Sequence, residues 1–225
     1  MSFNPRIFRL FGADVHLHAT FFIFAALFLT LNGRDLGWTE VAVLGLYYMS
    51  AFASILVHEY GHIVVARLHG IDCRQITLHG LGGFAHLDEA PGVPRDEFLI
   101  AVAGPITSLL LAALLYLAAS AAPSDVVGVF LHGIALINVF IAVFNLVPAY
   151  PLDGGRMLHA VLQVYLSKPM ADTVASAVAQ ALGVGLIAFG WHYSYMNMML
   201  IGVILFFLTP SALGQGWMWK ITRRS

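Results

Sequence analysis

His58-Glu59-Tyr60-Gly61-His62 sits inside a long apolar run, Val41 to Leu68, and that combination decides how the chain is read. Residues four apart on a helix share a face, so both imidazoles can reach one ion with Glu59 beside them. The run is longer than the roughly 20 residues that a bilayer needs, so it reads as a tilted or protruding span. Ionisable side chains are costly at that depth and are kept with a partner. Two neutral imidazoles on one face suit zinc, which in a catalytic site takes three protein ligands and keeps a position open. Glu59 then stands as the base that takes a proton from water. A haem fits less well, because two histidines one turn apart cannot ligate its opposite faces.

The rest of the chain supports a bilayer setting. Of its 225 residues 60% are apolar and 10% charged, against about 25% charged in a soluble domain. The net charge of −1 offers no basic face for nucleic acid. Cys73 stands alone, which excludes an internal disulfide. Six apolar segments are expected as spans, at about 18–31, 41–68, 98–121, 126–147, 174–190 and 196–208. The first is followed by further spans and not by a cleavage site, so it reads as an anchor, not a signal peptide. Ala177, Ala181 and Gly185 form a small-residue stripe suited to close helix packing. The expectation is an all-α polytopic protein, one domain over 1–225, with a small β-hairpin or sheet after the second span.

Charge sets the orientation. With six spans, ten of the eleven Lys and Arg residues fall on the side of the termini and the second and fourth loops, and only Arg34 falls opposite. Positive residues stay inside, so both termini are expected in the cytosol.

A third metal ligand has to come from elsewhere. A metzincin pattern would need glycine at Val65 and histidine at Leu68, and His69 is one place late. Asp88 and Glu89 lie at a spacing that some soluble zincins use. Asp153 is the better candidate, in Asn145-Leu146-Val147-Pro148-Ala149-Tyr150-Pro151-Leu152-Asp153-Gly154-Gly155. Pro148 and Pro151 cannot continue a helix, and the two glycines allow a sharp bend. Broken backbone at membrane depth is tolerated where it lines a polar cavity. His62 precedes Arg67 by five residues, about 8 Å along a helix, and Asp153 precedes Arg156 by three. Both arginines belong to the cytosolic side, so the two halves of the site are expected at one level.

In the second loop, residues 71–78 alternate imperfectly, His79 to Gly83 supply a turn, and Phe84 to Leu87 suit a return strand. Such a hairpin can take an extended peptide by strand addition, or serve only as a connection.

These motifs resemble the site-2 protease family of intramembrane zinc metalloproteases. The resemblance rests on His58-Glu59-Tyr60-Gly61-His62 in a span, Gly104-Pro105 early in the third span, Asn145 followed by Pro148, and Leu152-Asp153-Gly154, in order over about half the chain. It implies that His58, His62 and Asp153 bind one zinc, that Glu59 is catalytic, and that Asn145 orients substrate or stabilises the oxyanion. It implies a transmembrane protein as substrate, regulated intramembrane proteolysis, and a prokaryotic inner or plasma membrane as the setting. The loops and tail are short, so neither the PDZ nor the CBS modules of many members are expected.

Other polar residues are read more plainly. His16, His18, His69, His79 and His86 read as interfacial or solvated, while His132 and Asn138 suit hydrogen bonds across helices. Met196, Met198 and Met199 read as lipid-facing or packing residues, and Trp217 and Trp219 beside Lys220 as an interfacial anchor. A metal transporter would spread ionisable groups along a path, whereas one compact cluster is visible here.

Overall fold

A computed structural model describes residues 5–10, 12–80, 82–87 and 91–209. Contacts divide the chain into two units, Met1–Asp88 with Ala103–Ala142, and Glu89–Val102 with Val143–Ser225.

The first unit opens with strands β1 (Arg6–Leu10) and β2 (Ala13–Leu17), then helices α1 (Ala19–Asn32) and α2 (Trp38–Leu68), then strands β3 (Cys73–His79) and β4 (Gly82–Leu87). It also holds most of α3 (Pro94–Ser120) and α4 (Asp125–Asn145). The strands make one sheet in the order β1-β2-β3-β4. The two hairpins are antiparallel, and β2 runs parallel to β3 with Val15 opposite Ile76. A parallel pair needs a crossover, which α1 and α2 provide. Gly12 turns the first hairpin at φ +82°, a left-handed conformation that glycine adopts without strain. The expected hairpin after the second span is therefore present as β3 and β4, but it belongs to a larger sheet whose other half precedes the first span. At the crossing of α2 and α3, a Cβ on Gly61 would lie 2.8 Å from the Ala103 carbonyl oxygen. The bare glycine lets the two helices approach closely.

The second unit holds the start of α3 and the helices α5 (Asp153–Tyr165), α6 (Lys168–His192) and α7 (Met196–Leu208). Helices α6 and α7 meet at Gly183 and Gly202, where a Cβ on Gly202 would lie 2.5 Å from the Gly183 oxygen. The stripe expected at Ala177, Ala181 and Gly185 is exposed. The buried stripe is Ala171, Ala175, Ala179 and Gly183, two residues out of register with it. Ala149, from the turn before α5, is fully buried in a core with Ala179 and Leu205.

Among the described residues, four helices are long and apolar enough to cross a membrane: Trp38–Leu68, Pro94–Ser120, Asp125–Asn145 and Lys168–His192. Ala19–Asn32 and Met196–Leu208 are apolar but shorter. Large apolar side chains such as Leu114, Phe140 and Phe207 face outward, as lipid contact requires. The chain is an integral membrane protein. All six expected segments are helical, and α5 is a seventh helix that the span pattern does not announce.

Candidate metal centre

Within the first unit, α2 places His58 and His62 one turn apart, both buried. Their Nε2 atoms lie 3.3 Å apart. Two Zn–N bonds of about 2.05 Å at a tetrahedral angle put their nitrogens about 3.3 Å apart, so the pair is already at ligand spacing. Ser108 on α3, fully buried, stands 2.9 Å from His58 Nδ1. With Nδ1 donating to that hydroxyl, Nε2 keeps its lone pair for a metal, the usual division of labour in a ligating histidine. Gly104 leaves the necessary space: a Cβ there would lie 2.3 Å from His62 Nε2 and 2.6 Å from His58 Nε2.

Glu59 is half-buried on the adjoining face. Strand β4 passes over it so closely that a Cβ on Gly83 would lie 2.8 Å from Glu59 Cγ and 3.2 Å from its Oε1. One turn before His58, Ser54 accepts a hydrogen bond from Asn138 Nδ2 on α4 at 2.9 Å, and Asn138 is fully buried. The cross-helix role expected of Asn138 is thus met. His132 packs its ring against Tyr116 on α3, with centroids 5.1 Å apart.

In the second unit, Asp153 is buried as the first residue of α5. The preceding turn is pressed against that helix. A Cβ on Gly154 would lie 2.3 Å from the Val147 oxygen, and one on Gly155 would lie 2.6 Å from the Ala149 carbonyl carbon. The paired glycines are therefore needed for this packing. Tyr150–Pro151 is a cis peptide, and the Tyr150 oxygen accepts from Thr209 Oγ1 at 3.1 Å. Burial, with the charges of Glu97 and Asp172 adding to it and Arg156 opposing, pushes the Tyr150 phenol well above its ordinary range. Asn145 is the last residue of α4, half-buried.

His58 and His62 are buried in the first unit, and Asp153 is buried in the second. Two imidazoles and a carboxylate are a donor set that zinc accepts. The alternative ligands Asp88 and Glu89, and the anchor at Trp217 and Trp219, lie outside the described residues. Of the histidines read as bystanders, His69 is exposed, while His18 caps α1 and packs on His79 with ring centroids 4.6 Å apart. Ser108 escaped the sequence reading, although its place one turn after Gly104-Pro105 is a usable signal. Gly83 escaped it too, since nothing local shows that its neighbour is Glu59.

Comparison with known proteins places the chain in a family. A family model described as Peptidase family M50 matches residues 47–127 and 119–189. A zinc metalloprotease of Methanocaldococcus jannaschii is 30% identical over 92% of this chain and 59% of its own length. Stage IV sporulation protein FB of Bacillus subtilis is 30% identical over 64% of this chain and 46% of its own. The chain thus spans about half the length of these curated relatives. A solved structure, the site-2 protease from Methanocaldococcus jannaschii, matches with a TM-score of 0.73 at 26% identity, covering 99% of this chain and 96% of that one. The chain belongs to Peptidase family M50.

Proposed function

We propose that this protein is an intramembrane zinc metalloprotease that hydrolyses peptide bonds in or near transmembrane segments of other membrane proteins, with His58, His62 and Asp153 holding the metal. The observation that carries the reading is the 3.3 Å separation of two buried Nε2 atoms on one membrane-length helix, with Glu59 between them in sequence. Family membership and the relatives' names support it.

Zinc, when bound, supplies a Lewis acid that brings the pKa of water towards about 7 and polarises a carbonyl. The chain's own residues do the rest. Glu59 accepts the proton of the attacking water and returns it to the leaving amine. Asn145 donates its side-chain N–H to the oxygen that gains charge. A transmembrane helix satisfies its own backbone, so the substrate must unwind before its carbonyl is open to attack. Strand β4 is a sheet edge lying over Glu59 at Gly83, and an edge can take up the freed hydrogen bonds of an extended segment.

The shorter α1 and α7 complete six spans in this reading, with both termini in the cytosol of a prokaryotic cell and the release of membrane-held regulators as the physiological outcome. Cleavage of a single-span peptide in nanodiscs tests the activity. The wild type is expected to cut within or beside the apolar segment, and Glu59→Gln is not. Equal cutting by both would remove Glu59 from the mechanism.

A further inference from the structure

The second unit buries a histidine between two acids. His159 on α5 is 5% exposed. Its Nδ1 lies 2.9 Å from Glu97 Oε1 at the start of α3, and its Nε2 lies 2.8 Å from Asp172 Oδ1 on α6. The second contact is an ion pair and not a hydrogen bond. Gln163, one turn further along α5, donates to Glu97 Oε2 at 2.9 Å. Glu97 is itself buried, and a buried carboxylate is costly unless a positive charge and hydrogen bonds answer it. The Tyr150 ring lies over the cluster, its centroid 6.2 Å from the imidazole. Lys168 and Asp172 face it from α6, and Arg156 acts on Tyr150 from α5.

The position of this cluster gives it consequence. Helix α5 begins on Asp153, and His159 follows six residues later, about 9 Å along the axis. At its first turn α5 rests on backbone through Gly154 and Gly155, which provide contact but no side chain to fix rotation. At its second turn it is tied to both α3 and α6. We propose that Glu97, His159 and Asp172 form a positioning clamp, in which a protonated imidazole between two carboxylates fixes the direction in which α5 aims Asp153. The inference rests on the reading of Asp153 as a metal ligand.

Burial alone would lower the imidazole's pKa. The hydrogen bond that the imidazole donates to Glu97 and the charges of Glu97 and Asp172 outweigh it, with Lys168 opposing, and hold the pKa above its ordinary value. A pKa raised on folding means that the clamp is whole below about 6.5, the unfolded value, and is lost as pH rises through the folded one.

The test is zinc release to a chelator from the purified, zinc-loaded protein in nanodiscs, from about pH 6 to about pH 9 across the imidazole range. The wild type is expected to hold zinc firmly at the acid end and release it about tenfold faster on the alkaline limb. His159→Gln should release fast throughout, without that limb. Asp172→Asn removes one charge that supports the proton and should move the midpoint to lower pH; its partly exposed carboxylate makes it the safer variant for folding. Profiles of both variants superimposed on the wild type would overturn the clamp. If Asp153→Ala binds no zinc while Asp172→Asn leaves the midpoint unmoved, the clamp alone fails. Zinc retained by Asp153→Ala would remove the ligand reading, and the clamp's role with it.

Discussion

At Gly104 a single methyl group would land 2.3 Å from His62 Nε2 and 2.6 Å from His58 Nε2. The helix backbone cannot yield by that much, so the two rings must. Gly104→Ala is therefore expected to weaken zinc binding about tenfold or more, read by competition with a chelator; unchanged affinity would mean that the imidazoles do not point there in the bound state. Ser108→Ala is a gentler version of the same disturbance. It removes the hydroxyl 2.9 Å from His58 Nδ1 and should cost about 10-fold to 100-fold in affinity while the fold persists. Glu59→Gln separates chemistry from binding. It should keep zinc and lose about 10²-fold to 10⁴-fold in cleavage rate, the usual share of a general base. A fall in zinc content to match the fall in rate would make Glu59 a ligand instead.

Among the elements, α2 was the most legible, because an ionisable cluster in an apolar run admits few explanations. The turn before α5 was nearly as clear, since Pro148, Pro151 and the Gly154-Gly155 pair exclude a continuous helix. Three things were hidden for physical reasons. Strands β1 and β2 are five residues each, and β2 finds its partner about sixty residues later, a non-local pairing that no window of sequence contains. Helix α5 follows so closely on turn residues that their signal masks its own. In α6 small residues stand on both faces, at 175, 179 and 183 and again at 177, 181 and 185, so size alone could not say which stripe packs. The Glu97–His159–Asp172 cluster was equally invisible, because its members come from three helices. At the crossing of α2 and α3, Gly61→Leu would drive side-chain carbon into Thr107 and the Ala103 carbonyl. It is expected to destabilise the protein by about 1–3 kcal/mol or more, seen as a lower midpoint in thermal unfolding; an unchanged midpoint would show that the helices can part without cost.

For the whole molecule, composition decided the membrane setting and the apolar outer surface bears it out. The distribution of charge carries the proposed orientation, with ten of eleven positive residues on one side. A cysteine introduced at Arg34 should react with an impermeant thiol reagent only from the side opposite one introduced at Arg74. Labelling of both from the same side would break the six-span count. The metal is the centre of the proposed chemistry, so the decisive measurement is zinc per chain in the purified protein, wild type against Asp153→Ala. About one zinc in the wild type, largely lost in the variant, is the predicted result for a three-ligand site. Zinc retained in full by the variant would contradict the ligand set, and no zinc in either protein would contradict the protease reading itself.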